Sequence, residues 1–301
     1  MPVVDADWAF ARYEAIRPRL VAADFPAGSA HAPSLAAVAE RFDAFVLDAF
    51  GVLNVGETAI PGAVARIAAL RALGKRLVVL TNSATQSRAH ALAKYRRLGF
   101  DFTAAEIVAS RDLTAEALQR TPQRLWAVAS GPDPDLADLA AVAAVDLLVD
   151  DGLFARADGF VLASSSGWSA AHQERLVATL LARPRPVLIA NPDLVAPRED
   201  GLSLEPGEYA HRLWDATGVV PAFYGKPYPG AFAAAHERLG RDIPPDRIAM
   251  VGDTLHTDIL GGRAAGFATV LVTDHGLFAG RDVAAYVQRS GIVPDIVVPT
   301  T

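Results

Sequence analysis

The chain has no cysteine among its 301 residues. Disulfide staples and thiolate zinc sites are therefore excluded, and the composition fits a reducing compartment such as the cytoplasm. Positive charge is not in excess either: 28 Lys and Arg stand against 34 Asp and Glu, for a net charge of −6. No basic stripe of the kind that meets a phosphate backbone is present, so no nucleic-acid partner is expected. No uninterrupted apolar stretch reaches the roughly 20 residues that span a bilayer. The alanine-rich run at 136–145 is short and ends in charge, so no membrane partner is expected. The opening MPVVDADWAF lacks the basic flank and apolar core of a signal peptide. Internal repeats and low-complexity tracts are also missing. What is present is an ordinary globular balance, 51% hydrophobic, with length for one large or two ordinary domains.

The chain is organised around VLDAFGVLN, 46–54. An apolar run, 45–47, ends in the carboxylate of Asp48, and Gly51 allows a sharp turn behind it. This pattern predicts a buried strand that delivers an acid to the carboxyl edge of a parallel sheet, where open α/β folds place their chemistry. Asp48 is the candidate nucleophile; its plainer alternative is a turn cap. The first 40 residues read as pieces of helix around a loop at 26–33, and 54–61 as a loop or flap. A helix is expected from Pro61-Gly62 to about residue 73, closed by Gly74.

A second buried strand begins RLVVLTNSA at 76 and finishes in Thr81, Asn82 and Ser83. Small polar residues at a strand-to-helix corner suit an anion, or else simply cap the helix expected at 86–98. A short strand at 105–109 and a helix at 112–120 follow. From about 121 the organisation restarts. Strands are expected at 125–129, 146–149, 159–163 and 186–190, and helices at 134–143, 169–182 and 206–217. This is a second α/β unit inserted in the first, punctuated by proline-rich joints. Its notable segment is PVLIANPD, 186–193, where Asn191 and Asp193 either face a ligand or make a turn.

Past Pro221, FYGKPYPGAF holds Lys226 in a stiff loop before a helix starting near 229. Then IAMVGDTLHTDILGG, 248–262, predicts a strand ending in Asp253, with Asp258 in the first turns of a helix. Two acids converging on one corner repel unless something positive sits between them, which points to a divalent cation. A strand at 268–273 and a helix at 278–290 complete the chain. His90, His211 and His236 fall on predicted helices and are expected at the surface, as is His256. Trp168, after Ser164 to Ser166, either lines the inserted unit's substrate face or is partly buried.

An Asp, a Thr-Asn-Ser corner, a Lys in Gly-Lys-Pro, and Gly-Asp with a second acid occur in that order. Together they resemble the haloacid dehalogenase-like (HAD) hydrolase superfamily. The insert, with Asn-Pro-Asp, Gly-Lys-Pro-Tyr-Pro-Gly-Ala-Phe and Gly-Asp-Thr-Leu-His-Thr-Asp, resembles subclass IIA, which includes the p-nitrophenyl phosphatase-like and pyridoxal phosphate phosphatase-like enzymes. The resemblance covers about 40 to 280. It implies a Rossmann-like parallel-sheet core, 1–120 and 221–301, with an inserted α/β cap domain, 121–220. It implies a hydrolase of small phosphorylated metabolites working through an aspartyl-phosphate on Asp48, with Lys226 neutralising charge. Mg²⁺ would be held by Asp48, the carbonyl of Phe50, Asp253 and Asp258. Thr81, Asn82, Ser83, Asn191 and Asp193 would face the substrate, and caps of this subclass often pair as homodimers.

One departure stands out. Phosphatases of the superfamily carry a second Asp two residues after the nucleophile, and here that position is Phe50. General acid–base catalysis is worth about 10²–10⁴-fold. The expectation is slow or absent turnover of alkyl phosphates and better turnover of aryl or acyl phosphates, unless Asn54, His256 or a cap residue replaces the shuttle. Two other readings follow from Phe50: a phosphate-binding regulatory protein, and a metal-free haloacid dehalogenase, against which Asp253 and Asp258 argue.

Overall fold

Apolar runs without polar alternation must be covered on both faces, and the strands here are used that way. The computed structural model describes residues 4–121, 125–132, 136–139, 143–198 and 201–301. The main strands are β1 (Ala30–His31), β2 (Ala44–Leu47), β3 (Arg76–Thr81), β4 (Ile107–Ala109), β5 (Leu125–Ala129), β6 (Ala143–Asp146), β7 (Gly159–Leu162), β8 (Val187–Ile189), β9 (Ala222–Phe223), β10 (Ile248–Gly252), β11 (Ala268–Val272) and β12 (Ile296–Val298). One parallel sheet runs β1-β12-β11-β10-β2-β3-β4, and a second runs β9-β8-β7-β5-β6. The strands of the smaller sheet all lie between β4 and β10 in sequence, so the fold is a Rossmann-like core carrying an inserted α/β cap.

Strand β2 is central, and all four of its residues are buried. Successive side chains point to opposite faces. Phe45 and Leu47 pack with Phe42, Phe100 and Phe102 on one side. Val46 packs with Met250, Phe232 and Phe267 on the other. The register sets Leu47 beside both Val251 of β10 and Val79 of β3. Three strands therefore end at one level, and the residues that follow them emerge together.

Helix α1 (Ala6–Ile16) straps the two sheets. Its N-cap Asp5 accepts from the Trp8 amide at 2.8 Å. Ala6, Ala9, Phe10, Tyr13 and Ile16 recur at helical spacing and are buried. They pack against Leu255 and Ile259 of the core and Leu194 and Val195 of the insert. Beside that stripe Arg12 reaches Glu208 at 2.8 Å, and from the turn Arg17–Arg19 that follows the helix Arg19 lies over Trp214 at 4.4 Å.

Several expected elements move. Residues 54–61 form a small hairpin, Asn54–Val55 with Thr58–Ala59. The strand expected at 146–149 is β6, ending at Asp146. The helix expected at 278–290 is Val283–Ser290, capped by Asp282. Of the helix expected at 134–143, residues 134, 135 and 140–142 lie outside the described residues, Ala137–Leu139 is a 3-10 turn and Ala143 opens β6. Strands β1 and β12, and a hairpin Val195–Arg198 with Gly201–Leu204, had no counterpart in the expected elements. His211 and His256 are buried rather than exposed. His211 stacks on Phe223, and His256 stacks on Tyr13 while its ring pairs with Glu14 at 2.5 Å. Trp168 is buried, its indole N–H donating to Gln173.

Candidate active site

The level ends of β2, β3 and β10 put Asp48, Thr81 and Asp253 at one edge of the large sheet. Lys226 arrives from the loop after β9 and is 2% exposed. Its Nζ lies 2.6 Å from Asp48 Oδ1 and 2.6 Å from Asp258 Oδ1. Asp48 Oδ1 also accepts from the Ala49 amide at 2.7 Å. Asp258 comes from a π-helical turn, Leu255–Ile259, and its other oxygen accepts from the Thr254 amide at 3.1 Å.

Asp253 sits in a cradle of small residues. Its Oδ2 accepts from the Leu277 amide at 2.7 Å, and its Oδ1 from the Thr254 hydroxyl at 3.1 Å. A Cβ on Gly51, whose φ is +75°, would lie 2.7 Å from Asp253 Cβ. One on Gly276 would lie 1.9 Å from Asp253 Oδ2. Both positions combine a left-handed backbone with contact closer than any side chain allows.

One oxygen from each of Asp48, Asp253 and Asp258 lies within 4.8 Å of the others. Three carboxylates thus face one ammonium. Burial pushes the Asp48 carboxyl up to about 7 against the pull of Lys226, helped by the charge of Asp258. Burial and the charges of Asp258 and Asp48 hold Asp253 well above the usual carboxylate range. Burial acts to lower Lys226, but Asp258, Asp48 and Asp193 outweigh it, so the ammonium keeps its proton. The donor set is all hard oxygen and short of positive charge, which fits a divalent cation such as magnesium.

Thr81 and Asn82 are buried and Ser83 is exposed. The Thr81 hydroxyl accepts from the Ser83 amide at 3.2 Å. The helix after this corner starts at Arg88, so the corner is a loop and not a helix N-terminus. The Asn82 side chain is fully engaged: Nδ2 donates to Asp193 Oδ1 at 2.8 Å and to the Lys226 carbonyl at 3.0 Å, and Oδ1 accepts from the Lys226 amide at 2.7 Å. It brackets the lysine loop to the insert.

A cleft of about 820 Å³ opens over this corner, lined by Asp48, Phe50, Thr81, Asn82, Ser83 and Asp253 below. From the insert it is lined by Ser164 to Ser166, Asn191, Asp193, Ser203 and Glu205. Asn191 accepts from the Asp193 amide at 3.0 Å and donates to Glu205 at 3.1 Å. Phe50 presents its ring 5.4 Å from Lys94 Nζ, and Lys94 pairs with Glu57 at 2.9 Å. The structure thus brings every sequence-predicted site residue to one region: all but Lys226 and Asp258 line the cleft, and those two pair with each other just behind it.

Sequence reasoning missed Tyr13 and the paired strands Val195–Arg198 and Gly201–Leu204, which also line the cleft. The Tyr13 hydroxyl accepts from the Leu194 amide at 3.1 Å. Its only local signal is an apolar helix stripe, which reads as core.

The family description "Haloacid dehalogenase-like hydrolase" matches residues 45–143, and "HAD-hydrolase-like" matches 223–300. The acid sugar phosphatase of Staphylococcus aureus is 28% identical over 236 residues, 77% of this chain and 87% of that protein. The p-nitrophenyl phosphatase from Archaeoglobus fulgidus superposes with a TM-score of 0.73 at 26% identity, covering 86% of this chain and 96% of that one. A Cytophaga hutchinsonii structure titled a possible sugar phosphatase superposes with a TM-score of 0.78 at 27% identity, covering 91% and 98%. Four strand-end motifs meeting in one cleft, two family matches that bracket the insert, and these neighbours agree: the chain belongs to the haloacid dehalogenase-like hydrolases, subclass IIA.

Proposed function

We propose that the chain is a magnesium-dependent phosphatase of small phosphorylated metabolites that works through an aspartyl-phosphate on Asp48. The observation that carries this reading is Lys226 Nζ lying 2.6 Å from both Asp48 and Asp258, with Asp253 on the same corner. Asp48, the Phe50 carbonyl, Asp253 and Asp258 would hold the metal. When bound, magnesium supplies positive charge that offsets repulsion between a carboxylate and a phosphoryl group.

The chain's own residues divide the remaining work. Asp48, oriented by the Ala49 amide, attacks phosphorus. Lys226, buried and protonated, neutralises charge on the nucleophile and the transferring group. The Thr81 hydroxyl and the Ser83 region face the phosphoryl oxygens. Asn82 holds the Lys226 loop against Asp193, and Asn191 fixes the insert's edge of the cleft. In this reading 1–120 and 221–301 form the catalytic core and 121–220 the cap that selects the leaving group.

The test is phosphate release from a panel of phosphorylated metabolites with magnesium, with Asp48→Asn as control. Release by the natural chain, reduced to background in D48N, supports the reading. Tight phosphate binding without release would support instead a regulatory role, which Phe50 in the cleft lining favours. Halide release from a haloacid would replace both.

A further inference from the structure

If this chain is a phosphatase, a proton must reach the leaving alcohol and another must leave the attacking water, and Phe50 can do neither. The titratable groups lining the cleft can be taken in turn. Lys94 is engaged by Glu57 at 2.9 Å and by the Gly56 carbonyl at 3.0 Å; Glu57 is paired to it and to Arg97 at 3.2 Å, and its hydrogen bond from Lys94 holds it below the usual range. It therefore stays ionised and has no proton to donate at neutral pH. Glu205 has one oxygen accepting from Asn191 and the other from Ser203 at 2.7 Å. Burial pushes the Tyr13 hydroxyl well above its ordinary range, so it holds its proton too firmly. Asp48 and Asp253 are committed to the nucleophile and metal corner. Of the substitutes expected from sequence, Asn54 does not titrate and donates to the Gly56 carbonyl at 2.8 Å. His256 is turned away, against Glu14.

Asp193 remains. We propose that Asp193, brought in by the insert, is the general acid for the leaving alcohol and the base for the attacking water. This rests on the phosphatase reading above. Its backbone is fixed from several sides. The Asp193 amide donates to Asn191 at 3.0 Å, its carbonyl accepts from the Gly207 amide at 3.1 Å, and the next amide is held by Tyr13. Close packing enforces that position: a Cβ on Gly207 would lie 2.0 Å from the Pro192 carbonyl oxygen. Oδ1 is oriented by Asn82 at 2.8 Å, while Oδ2 takes no hydrogen bond among the described residues. The carboxyl thus has one oxygen clamped and one available to the cleft.

The charged and titratable groups around it are Lys226 from its loop, Asp48 from the end of β2, Asp258 from the π-turn, Tyr13 from α1 and, through Asn191, Glu205. Burial dominates: it lifts Asp193 to about 7 despite Lys226 and Asn82, with Asp48 and Asp258 adding to the rise. A group near neutrality can both give and take a proton at working pH.

The steps balance. As Asp48 bonds to phosphorus, the ester P–O bond breaks and its electron pair goes to the alcohol oxygen, which takes the Asp193 proton. The products are the free alcohol, the aspartyl-phosphate and the Asp193 carboxylate. That carboxylate then removes a proton from water as the water oxygen attacks phosphorus. The P–O bond to Asp48 breaks, its electron pair returns to the Asp48 carboxylate, and inorganic phosphate leaves with Asp193 protonated again. On this account alkyl esters fall within reach of the enzyme although position 50 is a phenylalanine.

The test compares wild type with Asp193→Asn, whose side-chain oxygen can still accept from Asn82. Substrates are glycerol phosphate, an alkyl ester, and p-nitrophenyl phosphate, whose leaving group needs no proton. The variant is expected to lose about 10²-fold or more in kcat/KM on the alkyl ester, and at least tenfold less than that on the aryl ester, because kcat/KM stops at formation of the aspartyl-phosphate and leaves out the hydrolysis both esters share. The wild-type kcat/KM on the alkyl ester should fall on the alkaline side of neutrality, and that fall should vanish in the variant. An equal loss on both esters, or none, overturns the role of Asp193. A wild type that cleaves only the aryl ester overturns it too but leaves the phosphatase reading standing. A wild type that cleaves neither overturns both.

Discussion

The floor and the roof of the cleft are built on different principles. The floor is a set of buried charges with nearly every oxygen paired: Lys226 between Asp48 and Asp258, and Asp253 between a backbone amide and a hydroxyl. The roof is made of small neutral groups, Ser164 to Ser166, Asn191 and Ser203, around two carboxyls: Glu205, with both oxygens engaged, and Asp193, with one that takes no hydrogen bond among the described residues. The floor cannot change without unpairing charge in a dry place. The roof can change one hydroxyl at a time. In the proposed reading, chemistry is thus fixed below and choice of leaving group is adjustable above.

The sharpest way to break this comparison is Lys226→Ala. It leaves Asp48 and Asp258 facing each other without a cation, and removing one partner of a buried pair costs about 3–5 kcal/mol. Chemical denaturation should show a loss of that size together with lost turnover; a variant as stable as wild type would mean the floor is not under charge tension.

A smaller effect comes from metal. A carboxyl whose pKa is higher folded than unfolded contributes stability at low pH and gives it up as the pH climbs through that interval. For Asp48 the interval runs from its ordinary range to about 7, and Asp253 shifts in the same direction. Magnesium competes with those protons, so it binds better as the pH rises. Saturating magnesium should therefore raise Tm by more at pH 8 than at pH 5.5, and Asp253→Asn should shrink the difference. The smallest effect is expected from the roof. Ser165→Ala should change stability by no more than about 0.5 kcal/mol while altering KM among substrates with different leaving groups. A large stability loss there would erase the distinction between the two regions.

The floor was legible in sequence because each of its strands is a local apolar run that stops at a polar residue proposed to do the chemistry. Asp48, Thr81 and Asp253 needed only the run and its stop to be placed at a sheet edge. Much of the roof was not legible. The hairpin at 195–204 shows no alternation strong enough to announce it, and Tyr13 reads as one more core residue of an amphipathic helix. His211 and His256 read as surface residues, yet one is covered by the aromatic ring of Phe223 and the other by Tyr13. The run AAVDLLV, 143–149, is apolar throughout apart from Asp146, so nothing local says that the strand stops there and Leu147 turns inward. In each case the environment is made by contacts distant in sequence, which local patterns do not carry.

The most direct measurement is a rapid acid quench of the enzyme turning over a phosphate-labelled p-nitrophenyl ester with magnesium, followed by peptide mapping. Label on the peptide that carries Asp48, and none in D48N, is the predicted result. Phosphate release at a steady rate with no label on that peptide at any quench time would contradict it.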